Sequence, residues 1–263
     1  MCYSQYPSEG LDLLNKIKNI EVYMGNDNTK ALSGMDMTTG SIPVKILKFS
    51  IPLMLAQILE VLFNMSDVAV VGKFAGPIAL GAVGSTSILV TLFTGILLGL
   101  ASGVNALTAL HIGSKDDEGV KRTVHTAVII CLAGGILITV FGILFSHNIL
   151  VLMNTKDELI DGAVLYLRIY LLGMPALGLY NFGNAVLSAA GDTKRPLYYL
   201  AFAGIVNVIL NLFFVIVCHL GVAGVALASM ISQFISAFLI LRALLTGKEK
   251  YCLRLSEIRF DKR

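Results

Sequence analysis

Four polar residues punctuate an otherwise apolar stretch of the chain: Gln57, Glu60, Asn64 and Asp67. Their spacing of 3, 4 and 3 residues places all four on one face of a helix, with Leu, Ile, Val, Met and Phe on the others. A carboxylate removed from bulk water can take up a proton, because an uncompensated buried charge is costly. Carboxylate and amide oxygens together can instead coordinate a hard cation such as Na⁺. A third use needs no chemistry, since amides also join helices to one another by hydrogen bonds. Two further amide pairs share helix faces: Asn181 with Asn184 at i, i+3, and Asn207 with Asn211 at i, i+4. Each pair alone is ordinary interhelical glue. Together with the first stripe, they outline one polar chamber inside a helical bundle.

Catalytic chemistries are poorly served. No serine-nucleophile elbow occurs, since residues 100–103 read Leu-Ala-Ser-Gly, and no HExxH zinc motif is present. His111, His125, His147 and His219 fall near helix ends or loops, as interfacial histidines do. A GxxxxGK[ST] phosphate loop is missing, so ATP hydrolysis is not expected of these residues. An intramembrane aspartyl protease needs two deep aspartates, and only Asp67 is available. Cys2, Cys131, Cys218 and Cys252 form no CxxC pair and no secreted disulfide spacing. The expectation is a protein that is not an enzyme, has no cofactor, and binds no metal other than Na⁺ at Asp67.

The elements that must position these groups follow from composition. The 263 residues are 56% apolar and only 14% charged, about half the charged share of a soluble domain, and mean hydropathy is +0.80. A disordered protein, a nucleic-acid binder and an ordinary soluble enzyme are excluded, which leaves a polytopic membrane protein. A crossing takes about 20 apolar residues, and six stretches qualify: 46–71, 78–110, 122–145, 160–190 interrupted by Pro175, 197–218 and 222–245. They lack two-residue alternation and are too long for barrel strands, so the expected fold is an all-α six-helix membrane bundle. The second stretch carries Gly95, Gly99 and Gly103, and the sixth Ala228, Ser232 and Ser236, small-residue faces expected to pack against neighbouring helices.

The connections alternate in charge. The N-terminal tail, loop 113–122, turn 191–196 and C-terminal tail hold 17 of the 20 Lys and Arg, whereas the other set holds only Lys73, Lys156 and Arg168. The positive-inside rule therefore predicts cytoplasmic N- and C-termini in a multi-pass cell-membrane protein. Residues 1–40 are polar, with Lys16, Lys18 and Lys30, and lack the apolar run of a cleavable signal, so the first span is expected to direct insertion. The run Gly191-Asp-Thr-Lys-Arg-Pro196 reads as a compact helix–turn–helix junction, with Gly191 left-handed at a helix end and Pro196 in the first turn of the next helix.

Pro52-Leu-Met-Leu-Ala-Gln57 followed by Asn64-Met-Ser-Asp67-Val-Ala-Val-Val-Gly72 resembles the first-helix pattern of the multidrug and toxic compound extrusion (MATE) family. Ile78-Ala-Leu-Gly-Ala-Val83 at the second helix and Ala190-Gly-Asp-Thr-Lys-Arg-Pro196 after the fourth fit the same family, so the resemblance covers residues 41–247. It implies an antiporter that exports amphipathic or cationic drug-like compounds in exchange for H⁺ or Na⁺. Family members have twelve helices in two six-helix lobes. The resemblance therefore implies a tail over 1–40, one lobe over 41–247 and a cytoplasmic linker over 248–263. The expected partners are membrane lipids and a second lobe, either a missing C-terminal half or a second copy.

By position, Asp67 matches the family's first-helix aspartate. Asn181 and Asn184 match polar positions on the fourth helix, and Asn207 an asparagine on the fifth. Asn211 stands where some members carry an aspartate, a departure from their Na⁺ site. Gln57, Glu60 and Asn64 form the supporting stripe, with Glu60 an additional titratable group. The implied mechanism is alternating access: neutralising Asp67 lets the stripe repack against the amide pairs and displaces drug from the chamber. A lipid-linked saccharide flippase of the same superfamily would share the helical plan but should show a cationic cavity. A non-transporting scaffold would tolerate loss of Asp67.

Overall fold

The computed structural model describes residues 42–246 together with Tyr251 and Leu253. The expected tail over 1–40 lies outside the described residues, as does the linker over 248–263 apart from Tyr251 and Leu253. The helices are α1 (Ile42–Phe74), α2 (Gly76–Gly113), α3 (Asp117–Leu152), α4 (Asp157–Leu171), α5 (Met174–Ala189), α6 (Lys194–Leu212) and α7 (Gly221–Thr246). A wider π-helical turn, Phe213–Val217, continues α6. Five elements are each long and apolar enough to cross a membrane, and α4 with α5 makes a sixth crossing bent by 46°. This is the expected all-α six-crossing plan. The turns after α2 and α5 lie at the end where α1 begins; those after α1, α3 and α6 lie at the other. Lys115, Lys121, Arg122, Lys194 and Arg195 gather at the first end, here called the basic end.

Proline and a threonine hydroxyl account for the bend. Pro175 has no N–H and its ring excludes the carbonyl four residues earlier, which is that of Leu171. The freed Leu171 carbonyl lies 2.6 Å from the Thr139 hydroxyl on α3, which also lies 2.9 Å from its own Gly135 carbonyl. A carbonyl opened inside a membrane bundle needs such a donor. Gly135 and Gly178 let α3 press against the break, because a Cβ on either would fall within 2.6–2.8 Å of backbone atoms there. Apolar packing continues on both sides, through Val71, Phe93, Leu97, Leu150, Leu167 and Met174 in one cluster. Val124, Cys131, Phe182, Val186, Ile240 and Leu244 form the other.

The junction between α5 and α6 has the predicted form. Gly191 takes φ +86°, and its N–H and that of Asp192 return to the Ser188 and Leu187 carbonyls, each at 2.9 Å. Asp192 then accepts the Arg195 N–H at 3.2 Å and pairs with the Arg195 guanidinium at 3.0 Å. Pro196 is buried in the first turn of α6, and its carbonyl accepts the Tyr180 hydroxyl at 3.1 Å.

Two expectations need correction. The third span runs over 117–152 rather than 122–145, because charge does not end a capped helix. Asp116 accepts the Gly119 N–H at 2.9 Å, and Asp117 and Glu118 in the first turn complement the helix dipole. That amide and the His111 ring hold the Asp116 carboxyl below its ordinary range. Second, Gly95, Gly99 and Gly103 do not seat a neighbouring helix: all three are exposed, and a Cβ on any of them would meet nothing within 4 Å. α2 packs instead through the stripe Ala82, Leu89, Phe93, Leu97, Ala101 and Val104. Small size permits close approach but does not choose the face.

Candidate functional site

α1 reaches the bundle through few side chains, and most of its aliphatic residues are exposed. It packs on α6 at Gly204, where an added Cβ would run into the Phe63 ring. Four residues beyond Phe63, Asp67 enters the bundle and is buried. Two side chains from two other helices bond it directly, and Asn207 links them to each other. Asn211 Nδ2 on α6 donates to Asp67 Oδ1, and Ser229 Oγ on α7 donates to Asp67 Oδ2 at 2.8 Å. Asn211 Nδ2 also donates to Asn207 Oδ1 at 3.1 Å. Asn207 Nδ2 donates to Ser229 Oγ at 3.3 Å, which closes the ring.

The ring runs from a source to a sink. Asn211 donates both ways, directly to Asp67 and to Asn207, Asn207 passes a bond on to Ser229, Ser229 donates to Asp67, and Asp67 only accepts. This arrangement suits an ionised carboxylate. A proton placed on Asp67 would face two donors, so at least one of them would have to turn. The ring also holds oxygens suited to a hard cation: the carboxylate, Asn207 Oδ1, Ser229 Oγ and Asn211 Oδ1, the last buried without a hydrogen-bond partner.

Beside the ring lies a cavity of about 100 Å³. It is walled by Glu60, Phe63, Asn64 and Asp67 of α1, by Tyr170, Tyr180 and Asn181 from the bent span, and by Ser229, Ser232, Gln233 and Ser236 of α7. Asn207 lines it from α6, and among the described residues no Lys, Arg or His does so. Asn181 is buried, and its Nδ2 has no hydrogen-bond partner among the described residues.

Of the residues singled out from sequence, the structure brings Asp67, Asn207 and Asn211 into direct contact, and Glu60, Asn64 and Asn181 to the same cavity. Gln57 and Asn184 do not line it. Gln57 is exposed on α1, and Asn184 accepts the Ser188 hydroxyl of its own helix at 3.2 Å. The sequence reading missed α7. Ser232 and Ser236 were expected only to pack, and Ser229 was not singled out, yet Ser229 holds the carboxylate. The signal was present as Ser229, Ser232, Gln233 and Ser236, a polar stripe at helical spacing.

The MatE family model matches residues 52–213. The chain is similar to the probable multidrug resistance protein YpnP of Bacillus subtilis (strain 168), with 33% identity over 205 residues, covering 78% of this chain and 46% of that protein. It is also similar to the probable multidrug resistance protein NorM of Thermotoga maritima, 25% identical over 214 residues, covering 80% and 46%. Among solved structures, a MATE in the bent conformation superposes with a TM-score of 0.78 at 26% identity, covering 83% of this chain and 49% of that one. The chain thus spans about half the length of the curated relatives it matches.

Proposed function

The chain belongs to the MatE family, and from that premise we propose that residues 41–247 form one lobe of an antiporter that exports drug-like or cationic compounds in exchange for H⁺ or Na⁺. The observation that carries the coupling role is the ring at Asp67, where a buried carboxylate with no basic residue in its cavity is held by Asn211 and Ser229. Taking up H⁺ or Na⁺ there neutralises the carboxylate and removes the acceptor on which both donors converge. These bonds tie α1 to α6 and α7 at the ring, so ion uptake re-seats α1 there. In an alternating-access cycle, that is the step that couples the ion to the drug path.

The cavity's volume supports separate places for the two cargoes. About 100 Å³ accommodates an ion or a few waters, whereas drug pockets run to roughly 300–1,000 Å³. The drug therefore passes along the open face of α1, where Gln57 and Asn64 are exposed, rather than through the ring. The lack of a basic residue in the cavity favours this reading over a flippase for lipid-linked pyrophosphates.

The test is Asp67→Asn in sealed vesicles with H⁺ and Na⁺ gradients imposed separately, alongside thermal unfolding of the purified chain with each ion. The wild-type chain is stabilised by the coupling ion. The variant loses both that stabilisation and gradient-driven export while inserting normally. Full coupled export by Asp67→Asn would overturn the proposal.

A further inference from the structure

A second cavity, of about 350 Å³, lies between α2 and α3 at the basic end, away from the ring. Its floor is Val104, Leu107, Ala127 and Ile130; its mouth carries His111, Arg122, Thr123 and Thr126, with Gly119 beside them. Leu107 and Ile130 are 52% and 41% exposed, so the apolar part opens on the outer, lipid-facing surface of the bundle. His111 stands two residues before the end of α2 and Arg122 five residues after the start of α3, which sets the polar mouth at the level where these helices leave the hydrocarbon.

We infer that this cavity is a binding site for an anionic phospholipid, with the headgroup phosphate at Arg122, Thr123 and Thr126 and an acyl chain along Val104, Leu107 and Ile130. The layout matches such a molecule in order, with apolar groups at bilayer depth and a guanidinium and two hydroxyls at the boundary. A guanidinium grips phosphate through two N–H groups at once, and basic pockets between membrane helices are where anionic headgroups lodge. Asp116, which feels the Arg122 charge, does not line the cavity; its carboxylate accepts the Gly119 N–H and meets the His111 ring, 3.1 Å away. Lys115 and Lys121 lie near the same turn but do not line the cavity. The inference is independent of ion coupling and of drug export.

Native mass spectrometry of the purified chain from nanodiscs of equal phosphatidylglycerol and phosphatidylcholine tests it. The wild type should retain phosphatidylglycerol over phosphatidylcholine by about fivefold, the factor one basic side chain supplies at a lipid surface. Arg122→Gln should bring that ratio to about one, and Thr126→Phe, which fills the cavity, should lower retention of both lipids. Lys115→Gln removes a charge from the same turn but not from the cavity, and should leave the ratio unchanged. Thermal unfolding of each variant in the same nanodiscs identifies any that are misfolded; Thr123→Val then replaces that variant, with the same loss expected. Equal retention of the two lipids by the wild type would overturn the inference. So would a loss in Lys115→Gln as large as that in Arg122→Gln, which would reduce the effect to diffuse surface charge.

Discussion

At the scale of single residues, the candidate site depends on hydrogen-bond direction more than on the presence of a carboxylate. Ser229 is the test of this, because it accepts from Asn207 and donates to Asp67. Ser229→Ala removes both links and leaves a buried amide donor and a carboxylate oxygen without partners, at a cost of about 1–3 kcal/mol. The expected outcome is a lower unfolding temperature and an affinity for the coupling ion weakened by about tenfold, read by ion-dependent thermal stabilisation. An unchanged ion response would show that α7 only packs there. Asn211→Asp is the complementary experiment. It adds a second carboxylate to the ring, and the expected result is tighter Na⁺ binding in the same assay, with no gain for K⁺ of equal concentration.

At the scale of elements, the bent span gives the clearest link between sequence and mechanics. Pro175 opens the Leu171 carbonyl, and Thr139 covers it from α3. Thr139→Val keeps the shape and removes the hydroxyl, so it should destabilise the chain by about 1–3 kcal/mol, measured as a shift in the unfolding midpoint in detergent. Thr139→Ser restores the donor and should recover most of that loss; failure to do so would mean that the methyl packing matters more than the hydrogen bond. The same bend brings Tyr170 and Tyr180 to one cavity from the two halves of the span. α6 makes a comparable departure, since its regular helix ends one residue after Asn211 and the wider turn follows at once. Such turns recur at functional sites because they re-aim side chains.

At the scale of the whole molecule, the open face of α1 is the outstanding feature. Gln57 and Asn64 are exposed at the level of a crossing helix, among Met54, Ile58, Val61 and Met65, which are also exposed. Polar groups at that depth belong against protein or water rather than lipid, so this face fits a cleft shared with a second lobe. Gln57→Cys and Asn64→Cys, in a background with Cys2, Cys131, Cys218 and Cys252 replaced, should react with a membrane-impermeant maleimide in whole cells or inverted vesicles. Leu137→Cys on the 69%-exposed outer surface of α3 should not. Equal protection of all three positions would place α1 in lipid and remove the case for a shared cleft.

The sequence by itself determined the class of molecule and the six crossings, and it marked Asp67, which the fold buries among Asn211 and Ser229. Each of these rests on local physics: apolar length sets a crossing, Pro175 without an N–H forces a break, Gly191 accepts a left-handed turn, and a lone deep aspartate is conspicuous because its burial is costly. Tertiary structure decided which small or polar stripes meet. Gly95, Gly99 and Gly103 had the spacing of an interface and face outward, whereas Ser229 had no obvious claim and holds Asp67. Periodicity gives the face on which a side chain lies, but only the rotation of each helix within the bundle fixes what that face touches. That rotation is the joint outcome of every packed contact, so Asn184 and Asn181, three residues apart, end against different neighbours.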